Sequence, residues 1–271
     1  MGLLSQSKFR NIVIITVVLV IIVAAFFVLN KNKSKGQGQG QGQSPEITSI
    51  SVINLDRDVK RLTAIQDSAQ KLNLKISRFP AIYGKDIPYE KMRSLGIGNS
   101  MVRHNRQDTK NTQLVNLGVV GCYLSHRSLL EQLASQEATA AAGHLILEDD
   151  VHFPADFLQP GGRWSTLSKN VPQDWDIIFL RMWKPDGEIV APGIMKLRSD
   201  PSKRTNLGAF AYIVRHESIK TKILPVLKYM VDAYDEHINL QFNNWNVYLL
   251  NPGIIDINDE LQNESAINSI N

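Results

Sequence analysis

Three consecutive acids, Glu148-Asp149-Asp150, follow directly on the apolar run His144-Leu145-Ile146-Leu147. If that run is a strand, at least two carboxylates stand at its carboxyl edge. Hard oxygen donors of this kind suit Mg²⁺ or Mn²⁺. Such an ion would offset charge on a departing diphosphate. A solvated acidic turn is the plainer alternative. A second chemical segment is Asn54-Leu55-Asp56-Arg57-Asp58-Val59-Lys60-Arg61, at the point where a strand gives way to a helix. The amino end of a helix favours anions. Arg57 and Arg61, four apart, can share one helical face and fork onto phosphate or carboxylate. The competing reading is a surface pair between Asp58 and Arg61. A third segment, Gly118-Val119-Val120-Gly121-Cys122-Tyr123-Leu124-Ser125-His126, joins two close-packing glycines to Ser125 and His126, which can hydrogen-bond a substrate. An isolated histidine is more often satisfied within the core. Cys122, without a Cys-x-x-Cys context, reads as a small buried residue.

The elements that must position these groups alternate in period. Residues 50–55 form a short β-branched run that predicts a buried strand. Leu62, Ile65, Ala69 and Leu72 then share a helical face. A strand around residues 76–82 contains Pro80, which makes it an edge or a broken strand. Residues 97–116 are polar and irregular, and 118–134 read as a helix. Strands are expected at 144–147, 176–180, 209–214 and 246–250, with helices near 217–229 and 234–243. Strands alternating with helices predict an α/β domain with a largely parallel central sheet, whose ligands bind at the carboxyl ends of strands.

Composition supports a globular domain, with 43% hydrophobic and 21% charged residues among 271. The formal charge of +4 is uneven. Lys8, Arg10, Lys31, Lys33 and Lys35 lie within the first 35 residues, which hold no acid. With those five set aside, 25 basic residues face 26 acids. No basic face for nucleic acid is therefore expected on the domain. One cysteine excludes an internal disulfide. Residues 12–29 are apolar except for Thr16 and cover roughly 27 Å as a helix, the thickness of a bilayer core. The run is longer than a signal-peptide core and lacks a small-residue cleavage site, so it reads as one uncleaved transmembrane helix. Flanking charges leave its orientation open. Residues 36–43 alternate glycine and glutamine, a flexible tether. The expected layout is a tail (1–11), anchor (12–29), stem (30–46), folded domain (47–252) and polar carboxyl tail (253–271).

Taken in order, Ile53-Asn54-Leu55-Asp56-Arg57, Phe79-Pro80-Ala81-Ile82-Tyr83-Gly84, Gly118 to His126 and Leu145 to Val151 resemble glycosyltransferase family 25. The likeness continues through residues 175–180 and 208–214. This family includes lipopolysaccharide glycosyltransferases and the collagen hydroxylysine galactosyltransferases. The resemblance implies a GT-A-like nucleotide-sugar-binding domain, a UDP-sugar donor, often UDP-galactose, and transfer with inversion to a hydroxyl of a glycan, glycolipid or protein acceptor. It implies that the triplet is the metal- and diphosphate-binding motif, with Mn²⁺ (or Mg²⁺) held by Asp150 and Asp149 or Glu148 assisting, that Asn54 and Arg57 lie by the donor nucleotide, and that Ser125 and His126 line the donor or acceptor cleft. A later family acid matches Asp235, the first candidate for general base. There the usual preceding proline is missing, and Asp232 and Glu236 compete for the role. The collagen enzymes are much longer than this chain, and nothing here supports a collagen acceptor.

Two rivals differ in class. A metal-dependent phosphohydrolase would need a nucleophile and a second ligand cluster that the sequence does not offer. A membrane-tethered carbohydrate-binding module would not need the acidic triplet. By the resemblance, a single-pass type II protein is expected, on the lumenal side of the Golgi or endoplasmic reticulum if the chain is eukaryotic. Asn263-Glu264-Ser265 would be a glycosylation sequon there.

Overall fold

The computed structural model describes residues 44–97, 117–258 and 261. The expected anchor at 12–29, most of the stem, nearly all of the irregular stretch at 97–116 and the sequon lie outside the described residues. Among the described residues, no helix is long and apolar enough to cross a membrane.

Eight strands form one sheet: β1 (Ile47–Asn54), β2 (Ser77–Pro80), β3 (Gly143–Glu148), β5 (Ile177–Trp183), β6 (Gly187–Ala191), β7 (Ile194–Leu197), β8 (Leu207–Arg215) and β9 (Val247–Leu250). A two-stranded ribbon pairs β4 (Val151–His152) with β10 (Asp256–Ile257). The sheet order is β2-β1-β3-β8-β5-β9-β7-β6. As Pro80 requires, β2 lies at an edge.

The sheet is mixed rather than largely parallel. β1 pairs in parallel with both β2 and β3, and β5 pairs in parallel with β9. The pairings β3–β8, β5–β8, β7–β9 and β6–β7 are antiparallel. Two reversed strands, β8 and β7, account for all four. The direction of β8 was not legible because a strand buried on both faces reads as the same apolar run whichever way it points. The β6–β7 hairpin was missed altogether. β6 is mostly exposed and lacks an apolar alternation.

Side-chain alternation separates two cores. Ile146, Ile177, Phe179, Tyr212 and Val214 face one side, and Leu145, Leu147, Ile178, Leu180 and Ile213 face the other. Helix α1 (Val59–Lys71) covers the second side through Ile65 and Ala69, and α2 (Leu117–Ser135) covers the first through Tyr123, Leu124, Leu130 and Leu133. The domain is thus layered helix, sheet, helix. A short helix α3 (Tyr234–Asn239) packs against α2 and β8. Order also continues past residue 252, where a polar tail was expected. Ile254 and Ile255 are fully buried, and Asn258 N–H donates to the Asp150 carbonyl at 2.7 Å.

The amino half of α2 lies against residues 82–84 at backbone distance. A Cβ on Gly121 would meet the Ile82 carbonyl oxygen at 2.5 Å and the Gly84 nitrogen at 2.7 Å. No side-chain rotation can relieve a clash with backbone. Gly121→Ala is therefore expected to destabilise the fold by about 1–3 kcal/mol, the usual cost of overpacking. Urea unfolding checks this, and an unchanged midpoint would contradict the packing described.

Candidate functional site

Strand alternation divides the acidic triplet. Glu148 ends β3 on the side of Ile146 and so faces α2. Asp149 and Asp150 leave the strand in a turn and meet α1 instead. Arg61, in the first turn of α1, bridges the two. Its Nη1 is 2.9 Å from Asp149 Oδ1, and its Nη2 is 2.9 Å from Asp150 Oδ2. All three side chains are nearly buried, with exposures of 11% for Arg61, 7% for Asp149 and 6% for Asp150. Arg61 thus forks onto carboxylates, and the surface pair with Asp58 is not formed. Asp58 lies 3.7 Å from Arg57. The helix begins at Val59, so Arg57 precedes it and does not share a face with Arg61. Arg57 stacks on the Tyr83 ring at 4.3 Å.

Asn54, the last residue of β1, fixes the other side of the cluster. Its Nδ2 donates to Asp149 Oδ2 at 2.6 Å and to the Asp58 carbonyl at 3.0 Å. Its Oδ1 accepts from Arg78 Nε at 2.9 Å. Arg78, which also pairs with Asp56, was not singled out from the sequence. No motif marks a residue whose role is to hold an asparagine. Both Asp149 oxygens are therefore engaged, whereas Asp150 Oδ1 is buried without a hydrogen-bond partner among the described residues.

Burial pushes the carboxyl of Asp149 up to about 6, against the pull of Arg61 and Asn54. Burial and the neighbouring Glu148 raise Asp150 to about 7, and burial with Asp235 and Asp149 raises Glu148 to about 7. Only the Arg61 guanidinium is within ion-pairing reach of Asp149 and Asp150 among the described residues. Positive charge is in deficit here.

On the α2 side, His126 is fully buried, and burial lowers its imidazole to about 3, so the ring is neutral. His126 Nδ1 lies 3.0 Å from the Tyr212 hydroxyl, which lies 2.9 Å from that of Tyr234. The His126 ring stacks on Tyr234 at 4.2 Å, and Nε2 is 3.5 Å from Glu148 Oε1. Ser125 accepts from Ile82 N–H at 2.8 Å and donates to the Gly121 carbonyl at 2.6 Å. Its hydroxyl ties the 82–84 turn to α2. Tyr212 and Tyr234 were read only as parts of a strand and a helix.

These groups line a cleft of about 90 Å³ at the carboxyl ends of β1 and β3, walled by Asn54, Asp58, Arg61, Ile82, Tyr83, Gly84, Cys122, Ser125, His126 and the triplet. Asp235 stands behind it in the first turn of α3. Its Oδ2 accepts from Gly208 N–H at 2.6 Å, burial raises its carboxyl, and its charge is felt by Glu148 and His126. The two competing acids point elsewhere. Glu236 pairs with Arg204 at the surface, and Asp232 caps the Ala233 N–H.

The donor set fits a divalent cation. Asp150 Oδ1 is a free buried acceptor next to a deficit of positive charge, and ions such as Mn²⁺ or Mg²⁺ commonly take one or two carboxylates plus substrate oxygens.

Removing Arg61 would leave two buried acids without their counter-ion. Arg61→Ala is expected to cost about 3 kcal/mol at pH 7. The folded values of Asp149 and Asp150 lie above the ordinary carboxylate value near 4, so folding disfavours their ionised forms. That penalty is present above the folded values and is relieved as pH falls towards about 4. His126 and His144, lowered by burial to about 3 and about 4, act in the opposite sense below pH 6.5 but are common to both proteins. The stability gap between variant and wild type should therefore narrow from pH 7 to pH 5. Denaturant melts at both pH values check this, and a gap independent of pH would contradict the pairing.

The profile of glycosyltransferase family 25 (LPS biosynthesis protein) matches residues 47–188, just over half of the chain. A glycosyltransferase 25 family member of Anopheles gambiae is 26% identical over 208 residues, covering 71% of this chain and 33% of the relative. Human procollagen galactosyltransferase 2 is 25% identical over 202 residues, 69% of this chain and 30% of that protein. The human protein named inactive glycosyltransferase 25 family member 3 is 26% identical over 206 residues, 71% and 33% of the two chains. The chain spans about a third of the length of these curated relatives. A family match over more than half of the chain decides the matter: this chain belongs to glycosyltransferase family 25.

Proposed function

We propose that the chain is an active, metal-dependent glycosyltransferase that moves a hexose from a UDP-sugar to an acceptor hydroxyl with inversion. The observation that carries this reading is the buried acidic pair in which, among the described residues, Asp150 Oδ1 is free and Arg61 alone supplies a guanidinium. Similarity alone does not decide activity, because relatives named as galactosyltransferase and as inactive are equally distant. Asp150, with Asp149 or Glu148, would hold Mn²⁺ or Mg²⁺. When bound, such an ion supplies neutralisation of charge on the leaving diphosphate.

The chain's own residues divide the remaining work. Asn54 and Arg61 fix the carboxylates. Arg57 stacks on Tyr83, which lines the cleft, and would meet donor phosphate from there. A cleft of about 90 Å³ is too small for a whole nucleotide sugar, since such ligands need roughly 300 Å³ or more. It suits the diphosphate end, with the nucleoside lying along the open strand ends. Asp235, kept from ionising easily by burial, is the reading for the base that takes the acceptor proton as the hydroxyl attacks the anomeric carbon. Galactose as the transferred sugar is suggested by the name of the human relative. A single-pass anchor at residues 12–29 and a lumenal location complete the proposal.

The second reading, a tethered module that binds carbohydrate without turning it over, is favoured by the similarity to the relative named inactive. UDP release by the purified full-length chain in detergent, with a panel of UDP-sugars and Mn²⁺, separates the two. One donor should be turned over, and EDTA should stop it. Asp150→Ala should lose both the Mn²⁺-induced thermal shift and turnover. Asp235→Asn should lower turnover by about 10²–10⁴ while donor binding persists. Neither turnover nor a donor-induced thermal shift in a folded protein would favour the binding module. Full turnover by Asp235→Asn would remove the base assignment alone.

A further inference from the structure

Cys122 and His126 lie four residues apart on α2, so both project from one face of the helix. Glu148 at the end of β3 meets them. Cys122 Sγ, a His126 ring nitrogen and a Glu148 carboxylate oxygen lie within 4.8 Å of one another. A tetrahedral zinc ion, with bonds of about 2.0–2.3 Å, holds its ligand atoms roughly 3.5 Å apart, so modest side-chain rotations would bring the three together. His126 is already arranged as a ligand. Tyr212 meets Nδ1 from behind at 3.0 Å, Tyr234 stacks on the ring, and Nε2 is buried without a hydrogen-bond partner and directed towards Glu148. A hydrogen bond on the outer nitrogen that fixes the ring is what metal-bound histidines show.

From this geometry we propose that Cys122, His126 and Glu148 form a second metal site, adjoining the Asp149–Asp150 pair through Glu148, that takes a borderline-soft divalent cation such as Zn²⁺. Sulfur and imidazole select zinc over manganese, which prefers oxygen. The charges also balance: one thiolate, one carboxylate and a neutral imidazole offset a divalent ion. Burial and the nearby Glu148, Asp235 and Asp150 hold the thiol protonated in the metal-free chain. On binding, the thiol proton passes to solvent and the sulfur lone pair goes to the metal. Three ligands leave a fourth position facing the cleft. Because Glu148 belongs to that cleft, zinc there inhibits transfer. The inhibitory role rests on the transferase reading, whereas zinc binding does not.

Cys122 is the only cysteine of the chain, so any thiolate–metal signal reports this site. The full-length protein is titrated with Co²⁺ and then Zn²⁺. One equivalent of Co²⁺ should produce a thiolate-to-cobalt charge-transfer band, Zn²⁺ should abolish it, and bound Zn²⁺ should protect Cys122 from alkylation. Cys122→Ser should weaken Zn²⁺ binding by at least about 100-fold, since loss of even an outer partner costs about 10–100-fold. Glu148→Gln, which keeps the thiol, should weaken both the band and zinc binding. Absence of the band, or unchanged zinc affinity in Cys122→Ser, overturns the site. Stoichiometric zinc binding with undiminished UDP release overturns the inhibitory role only. If no donor is turned over, the transferase reading fails while the cobalt spectrum still decides the site.

Discussion

The bridge from Arg61 to Asp149 and Asp150 is the interaction on which the site depends. Two adjacent carboxylates taken out of water cannot both ionise cheaply, and one guanidinium supplies half of the charge they need. Other features of the cleft serve this arrangement. Asn54 holds the second oxygen of Asp149, and Arg78 holds Asn54. The backbone after the triplet is laced down by Asn258 and by the β4–β10 ribbon. What remains is a pocket in which, among the described residues, Asp150 Oδ1 is left uncommitted. A site preorganised in this way does not need to rearrange its charges when a phosphate-bearing ligand arrives.

The fold follows from the same requirement. β1 and β3 run in parallel side by side, so Asn54 and Glu148 end at one edge of the sheet. Helices on opposite faces then deliver Arg61 from one layer and His126 from the other. The pairing of Gly84 with Gly121 brings the amino half of α2 within backbone contact of the 82–84 turn, which closes the cleft from above. Of the reversed strands, β8 pairs directly with β3 and brings Tyr212 and Gly208 to the site, whereas β7 lies farther along the sheet.

Much of this corner was legible in the sequence. α1 has a clear helical period, β1 and β3 are short apolar runs, and a strand running into three acids declares its own carboxyl end. Strand direction was not legible, because Leu207–Arg215 is buried on both faces and its composition is indifferent to polarity. Nor was the division of the triplet, which depends on where β3 stops and on which layer each acid meets. The expectation that Arg57 and Arg61 share a helical face failed for a local reason: the helix starts two residues later than the charge spacing suggested. Arg78, Tyr212 and Tyr234 escaped notice because their roles consist of orienting another side chain, and such partners are set by three-dimensional proximity alone.

Under the proposed function, this pocket receives a divalent cation together with a nucleoside diphosphate. Anomalous diffraction at the manganese edge, from crystals grown with Mn²⁺ and UDP, tests it most directly. A peak within coordinating distance of Asp150, with UDP phosphate beside it, is the predicted result. Ordered UDP with no manganese at Asp150, or manganese bound elsewhere with the pocket still closed by Arg61 alone, would contradict the account.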